Sequence, residues 1–280
     1  MRIAISNIAW DVRDDEAVAA LLHQYGVDAI DIAPGKYFPD PCQATSAEMS
    51  RVSDWWRKRG IEITGMQALL FGTTGLNLFA NTEIQSAMLA HLDAVCRIGG
   101  GLGATRLVFG SPKNRDRTDL SDSQAETVAV EFFQRLGDSA SAHGVWVCLE
   151  PNPPCYGANF MTNSAETAAM VSRIDHPAIR MQLDTGAMTI NGEAPEAVIA
   201  HYATLIGHVH ASEPNLVTLG DGGCDHHAVG RLLNATLPEQ IVTIEMLVAK
   251  QEPPLQAIER ALNIAIRHYR DEQAGCGASI

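Results

Sequence analysis

The chain alternates short apolar runs with longer amphipathic segments. Ile3–Ile8, Val27–Ala33, Ile61–Ala68, Arg106–Gly110, Trp146–Glu150, Ile179–Asp184, Ile206–His210 and Ile241–Glu245 have the length and composition of buried strands. Between them, apolar residues at helical spacing predict helices over 14–25, 47–59, 83–98, 123–143, 165–174, 195–202 and 254–269, with a short one starting at Ala228. Glycine closes several of these helices, at Gly26, Gly60, the triplet Gly99-Gly100-Gly101 and Gly144. Acids at Asp14, Asp15 and Glu16 open the first, where the helix dipole favours them.

Eight strand–helix units in strict alternation predict a single (β/α)8 TIM barrel over residues 1–270, followed by a frayed tail, 271–280. An open doubly wound sheet is the alternative, but no glycine fingerprint follows the first strand. No linker or shift of composition marks a second domain.

In such a barrel the chemistry sits at the C-terminal ends of the strands. The fifth apolar run ends abruptly in Glu150 and then Pro151, which forbids continuation of a central strand. A carboxylate there is costly unless something charged meets it. The next three strands end in Asp184, His210 and Glu245, each about one strand–helix unit further on. One such residue alone reads as a helix cap or a core histidine. Four on consecutive strands read as ligands of one divalent metal ion, and mixed carboxylate and imidazole donors suit Mn, Co, Zn, Fe or Mg.

Val147–Asn152 (VCLEPN), Gln182–Gly186 (QLDTG), Gly207–Glu213 (GHVHASE) and Thr243–Met246 (TIEM) resemble the metal-binding signatures of xylose isomerase-like TIM barrels. The branch most similar is the sugar phosphate isomerase/epimerase group related to ketose 3-epimerases. The resemblance implies that Glu150, Asp184, His210 and Glu245 bind one ion and that Glu150 and Glu245 are the catalytic acid/base pair. An ion chelated by a carbonyl and its neighbouring hydroxyl would stabilise an enediolate, while the two carboxylates move the proton. Three positions depart from the epimerase pattern: Met188 stands for a histidine, Leu216 for an arginine and Tyr156 for a glutamate. The metal ligands are kept where the sugar-binding shell is not.

Other residues extend the site. Lys113, Arg115 and Arg117 after the fourth strand, and Lys36 after the second, place cations near the mouth, as a phosphorylated or acidic substrate would need. A solvated loop is the alternative, favoured for Arg117, and Lys113 is the better contact. Asn7, Gln67 and Asn152 are candidate polar contacts. Trp10, Phe71 and Phe38 are candidates for an apolar wall, or else core. His208 points to the same side of its strand as His210 and reads as support beneath it. Asp225, His226 and His227 either hold a second metal or cap the helix at Ala228.

Composition sets the class of partner. Twenty Lys+Arg against 33 Asp+Glu give a formal charge of −13, which argues against a nucleic-acid partner. No apolar run approaches the roughly 18 residues of a membrane helix, so no membrane partner is expected. Six scattered cysteines without a CxxC pair, and no signal peptide, predict a cytoplasmic protein, with Cys96 and Cys148 in packing roles. A homodimer or homotetramer stays open.

The expected function is therefore a metal-dependent isomerase or epimerase of a small sugar-like carbonyl compound. The alternatives are a lyase or dehydratase on a similar substrate, an endonuclease IV-like phosphodiesterase, and a non-catalytic sugar-binding relative. The phosphodiesterase needs more histidines than the strand ends supply.

Overall fold

A computed structural model describes residues 1–270. Eight parallel strands close into a barrel in chain order: β1 (Arg2–Ser6), β2 (Ala29–Ile32), β3 (Glu62–Met66), β4 (Arg106–Phe109), β5 (Trp146–Leu149), β6 (Ile179–Asp184), β7 (Ile206–Ser212) and β8 (Ile241–Glu245). The ring shuts where Arg2 to Ile5 pair with Ile241 to Ile244. Helices α1 (Asp15–Gln24), α2 (Ser46–Arg57), α3 (Thr82–Leu102), α4 (Asp122–Ala142), α5 (Ser164–Ile174), α6 (Thr185–Asn191), α7 (Pro195–Tyr202), α8 (His226–Thr236) and α9 (Pro254–Tyr269) surround it. The predicted (β/α)8 class and every predicted strand are present. The expected tail lies outside the described residues.

Three differences have local causes. Helix α3 does not stop at the glycine triplet but runs through it to Leu102, ending at Gly103 with φ 81°. The triplet serves close packing: a Cβ at Gly100 would stand 2.5 Å from the His143 carbonyl oxygen, and one at Gly101 would stand 2.5 Å from the Met49 sulfur. Helix α6 was not anticipated. The Asp184 side chain starts it by accepting the Ala187 N–H at 2.6 Å, so one residue serves as both strand end and cap. Strand β7 continues past His210 to Ser212, because Ala211 and Ser212 still pair with Ile244 and Glu245.

A buried polar layer crosses the barrel beneath the C-terminal strand ends. Asp31 accepts hydrogen bonds from Thr64 (3.0 Å) and Thr243 (2.9 Å) and pairs with His208 Nε2 at 2.6 Å. Burial alone would raise the Asp31 pKa, but His208 and the hydroxyls hold it low. Gly65 makes the room: a Cβ there would sit 2.7 Å from the Asp31 carboxylate. Cys96 and Cys148 are buried and unpaired. No helix of the described residues is long and apolar enough to cross a membrane.

Candidate metal centre

Parallel register brings Glu150, just past β5, Asp184 and Glu245, at the ends of β6 and β8, and His210, two residues before the end of β7, to the same end of the barrel. His210 pairs with Asp184 on one side, and Ser212 with Glu245 on the other. One donor atom from each of Glu150, Asp184, His210 and Glu245 lies within 4.8 Å of the other three. His210 Nδ1 stands 3.3 Å from Glu150 Oε1 and 3.2 Å from Glu245 Oε2. Those separations suit neighbouring ligands about 2.1 Å from a shared ion. Glu150 Oε1 is buried without a hydrogen-bond partner, an orphan that a cation would satisfy.

The remaining oxygens are held by other donors. Gln67 Nε2 donates to Glu245 Oε1 at 2.5 Å, Asn152 Nδ2 to Glu150 Oε2 at 3.2 Å, and Ser212 Oγ to Asp184 Oδ2 at 2.7 Å. Each outer carboxylate thus presents one oxygen to the focus and has the other fixed by an amide.

Electrostatics agree with a site built for a cation. Burial, then Glu150 and Glu245, push Asp184 up to about 8. Burial would also raise Glu245, but His210 and Gln67 hold it below the usual range. For His210, burial favours the neutral ring, yet the facing Glu245 and Glu150 carboxylates lift its pKa well above the ordinary value. Three carboxylates and one imidazole, sharing protons where a divalent ion would stand, form a fitting donor set.

Above this focus opens a cavity of about 660 Å³, lined by residues that follow each of the eight strands, and including Glu150, Asp184 and Glu245. Its place at the C-terminal mouth is where barrel enzymes act.

The profile of the xylose isomerase-like TIM barrel matches residues 19–268. The chain belongs to that family. No curated protein matches it by sequence. Among solved structures, D-psicose 3-epimerase from Clostridium cellulolyticum H10 is 18% identical, with TM-score 0.81, covering 96% of this chain and 99% of its own. An L-ribulose 3-epimerase is 18% identical, with TM-score 0.74 and coverages of 96% and 92%. IolI, solved with a zinc atom bound, is 16% identical, with TM-score 0.75 and coverages of 96% and 98%. At these identities the likeness is one of fold.

Within this xylose isomerase-like barrel the other predicted residues separate. Gln67, Asn152 and Phe71 line the cavity. Trp10 does not form an aromatic wall: it is 1% exposed, packs edge-on against Trp56 and donates its indole N–H to Asp15. Phe38 is likewise core. Asn7 is buried, its Oδ1 accepting the Ala33 N–H, so it supports the β2 loop instead of facing the cleft.

The cations also disperse. Lys113 is exposed and does not line the cavity, and Arg117 is tied to Asn159 and Asp122. Arg115 is fully buried. It donates from Nη1 to the Glu150 backbone carbonyl at 2.8 Å, and burial pushes its pKa down to about 10. It holds the strand end from outside the cavity lining. Lys36 does line the cavity, but Nζ donates to the Asn7 and Trp10 carbonyls, each at 2.5 Å.

His208 lies beneath His210, their rings edge-on at 5.3 Å, and is committed to Asp31. In the β7 loop, Asp225 caps α8 through the Ala228 N–H. His226 bridges Glu213 (3.0 Å) and Tyr269 (2.6 Å), while exposed His227 faces the His268 ring. Cys224 stands with Glu213 and His226 in a second ligand-type cluster. The Glu213 oxygens, however, already accept N–H groups from Gly220, Cys224 and His226. Burial would raise the Glu213 pKa, but those donors hold it at about 2. The geometry is that of a loop pin and a helix cap, not of a second metal.

Two residues gain importance from the structure. Tyr156, at a departure position, lines the cavity while its hydroxyl oxygen accepts the Asn215 N–H at 2.7 Å, leaving its own O–H free. Gly110, next after β4, leaves space for a carboxylate: a Cβ there would stand 2.3 Å from Glu150 Oε2. A strand-end glycine beside a strand-end acid was the available sequence signal.

Proposed function

We propose that the chain is a divalent-metal-dependent isomerase or epimerase of a small hydroxy-carbonyl compound, acting by proton transfer through an enediolate. What supports this most is the convergence of Glu150, Asp184, His210 and Glu245, with both outer carboxylates oriented by amides and open to the cavity. The family and the sugar epimerases that share the fold point the same way.

A bound ion, held by these four side chains, would polarise a substrate carbonyl. The protein's own groups supply the rest. Gln67 gives an N–H to the outer oxygen of Glu245, which favours its charged, proton-accepting form, and Asn152 holds the outer oxygen of Glu150 in place. One carboxylate removes the proton beside the carbonyl, and the other, across the focus, returns one. Return on the opposite face inverts the carbon, whereas return to the neighbouring carbon exchanges ketone and aldehyde. Tyr156 O–H is placed to donate to a substrate oxygen.

A phosphate or carboxylate on the substrate finds less support, because Lys113, Arg115 and Arg117 stand outside the cavity lining. Loss of a leaving group from the same enediolate remains the alternative chemistry. Incubation of the metal-loaded protein with hydroxyketones in deuterated water tests the reading by proton NMR. Exchange at the carbon beside the carbonyl, abolished by Glu245→Gln, is expected. No exchange across free, phosphorylated and acidic sugars would overturn it, and loss of water from the product would identify a lyase.

A further inference from the structure

The cavity has two unlike halves. At its floor are the metal-type ligands with Gln67, Asn152 and Tyr156. Around its mouth stand Ile8, Phe71, Pro112, Pro153, Leu216 and Leu247, which follow β1, β3, β4, β5, β7 and β8. An apolar ring drawn from six separate loops is not the residue of one hydrophobic segment. Phe71 is 84% exposed and Leu247 is 51% exposed, the two highest values among the exposed large hydrophobic side chains of the described residues. The ring is also held in place. The Leu247 N–H donates to the Leu216 carbonyl at 2.9 Å, tying the β8 loop to the β7 loop, and Leu216 itself takes a left-handed φ of 52°.

The charged groups beside this mouth are committed to the fold. Lys36, the one cation lining the cavity among the described residues, spends two donors on backbone carbonyls. The Glu213 carboxylate is consumed by its loop. A volume of about 660 Å³ lies within the range of sites that enclose drug-sized ligands. A free sugar seated on the ligands would leave much of it to water.

We infer that the mouth is a subsite for an apolar tail, aromatic or alkyl, carried by a neutral substrate whose hydroxy-carbonyl head occupies the metal centre. This rests on the proton-transfer reading above for the head and on the apolar ring for the tail. The polar floor fixes the reacting carbon, and the ring selects what is attached to it. The substrate class is a hydroxyketone or keto-sugar bearing a hydrophobic substituent, not a free or phosphorylated ketose.

The test compares three compounds that share one hydroxyketone head and differ in tail: polyhydroxylated, phosphorylated and phenylethyl. Calorimetric titration of the metal-loaded protein should show the phenylethyl compound binding at least ~10-fold tighter than the polyhydroxylated one. In Phe71→Ser and in Leu247→Ser that ratio should fall toward one, with circular dichroism and metal content reporting that each variant is folded and loaded. Equal affinities, or preference for the phosphorylated compound, overturn the inference. So does a wild-type dimer that Phe71→Ser turns into a monomer without changing the ratio, because the ring is then covered by a second copy. Deuterium exchange in the same samples separates the two readings. Tighter binding without exchange leaves the subsite and removes the reaction, and exchange without tail preference does the reverse.

Discussion

Gly110→Ala is the sharpest perturbation of the proposed centre. Gly110 does not adopt a positive φ, so alanine meets no backbone penalty there. The whole effect is the added methyl, which would lie 2.3 Å from Glu150 Oε2, 3.5 Å from Cδ and 3.8 Å from Asn152 Nδ2. Ordinary contact requires the carboxylate to retreat by about 1 Å. The Glu150 backbone cannot follow, because its N–H is bonded to the Phe109 carbonyl at 3.1 Å and its carbonyl to Arg115. The side chain must therefore swing, breaking the Asn152 bond and moving Oε1 off the shared focus. A displacement of that size costs on the order of 100-fold in turnover for a group at the reacting carbon. Metal affinity should fall ~10- to ~100-fold, as for loss of ligand orientation. Calorimetric titration with a divalent ion reads the affinity, and solvent deuterium exchange reads the turnover. Gly100→Ala is the matched control. Its methyl would meet the His143 backbone carbonyl at 2.5 Å, far from the cleft. There the clash of ~1–3 kcal/mol outweighs the ~1 kcal/mol that alanine gains in a helix, so stability should fall and metal affinity should hold. If Gly110→Ala binds metal as tightly as the wild type and exchanges protons within about twofold of it, Glu150 is not a fixed ligand and the assigned centre is wrong.

Other outcomes follow from the same geometry. Glu245→Gln keeps the shape but removes a base and a ligand charge, so exchange should drop by ~100-fold or more; survival of activity would break the acid/base assignment. Metal binding near pH 7 should release more than one proton, because Asp184, pushed up to about 8, and the His210 imidazole, lifted well above its ordinary value, both hold protons that the ion displaces. The release, read from the dependence of the binding enthalpy on buffer ionisation, should decline as pH rises past about 8. A raised carboxyl pKa also means that the folded, metal-free protein binds more protons than the unfolded chain between about pH 4 and 8. Its stability from Asp184 should therefore fall as pH rises through that window, and denaturant midpoints with and without ion should diverge most at the alkaline end. Arg115→Met removes a buried charge together with the donor to the Glu150 carbonyl. It should lower exchange more than it lowers the melting temperature, whereas a substrate-binding arginine would instead show as a raised KM.

The barrel and the four residues of the proposed centre were legible in the sequence for a shared reason. Parallel strands buried on both faces read as apolar runs, and a carboxylate or histidine at the end of such a run stands out against its neighbours. Glu150, Asp184, His210 and Glu245 each carry that local contrast. The glycine triplet misled about the end of α3 because a terminating glycine and a close-packing glycine look alike until the partner is known. Here the partners are His143 and Met49, on α4's C-cap and on α2. Helix α6 was hidden because its start signal also reads as a metal ligand: Asp184 caps the helix and stands in the proposed centre.

The wall of the cleft was far less legible, and the residues that changed role show why. Lys113, Arg115 and Arg117 share a loop, yet one points to solvent, one is fully buried under a ligand and one is bound to Asn159. Spacing along a loop does not fix direction as strand alternation does, so charge near the mouth in sequence need not be charge in the cleft. Trp10 and Phe71 make the same point for aromatics, one sealed in the core and the other 84% exposed on the rim. The residues that build the head of the site sit on strand ends, where register sets height and direction. Those that choose the tail sit on loops, where only the assembled ring of Ile8, Phe71, Pro112, Pro153, Leu216 and Leu247 reveals a preference. A family that keeps its strand-end ligands while exchanging its loop residues can hold one proton-transfer chemistry and change what it acts on. Met188, Leu216 and Tyr156, all off the epimerase pattern and all after the strands, fit that division.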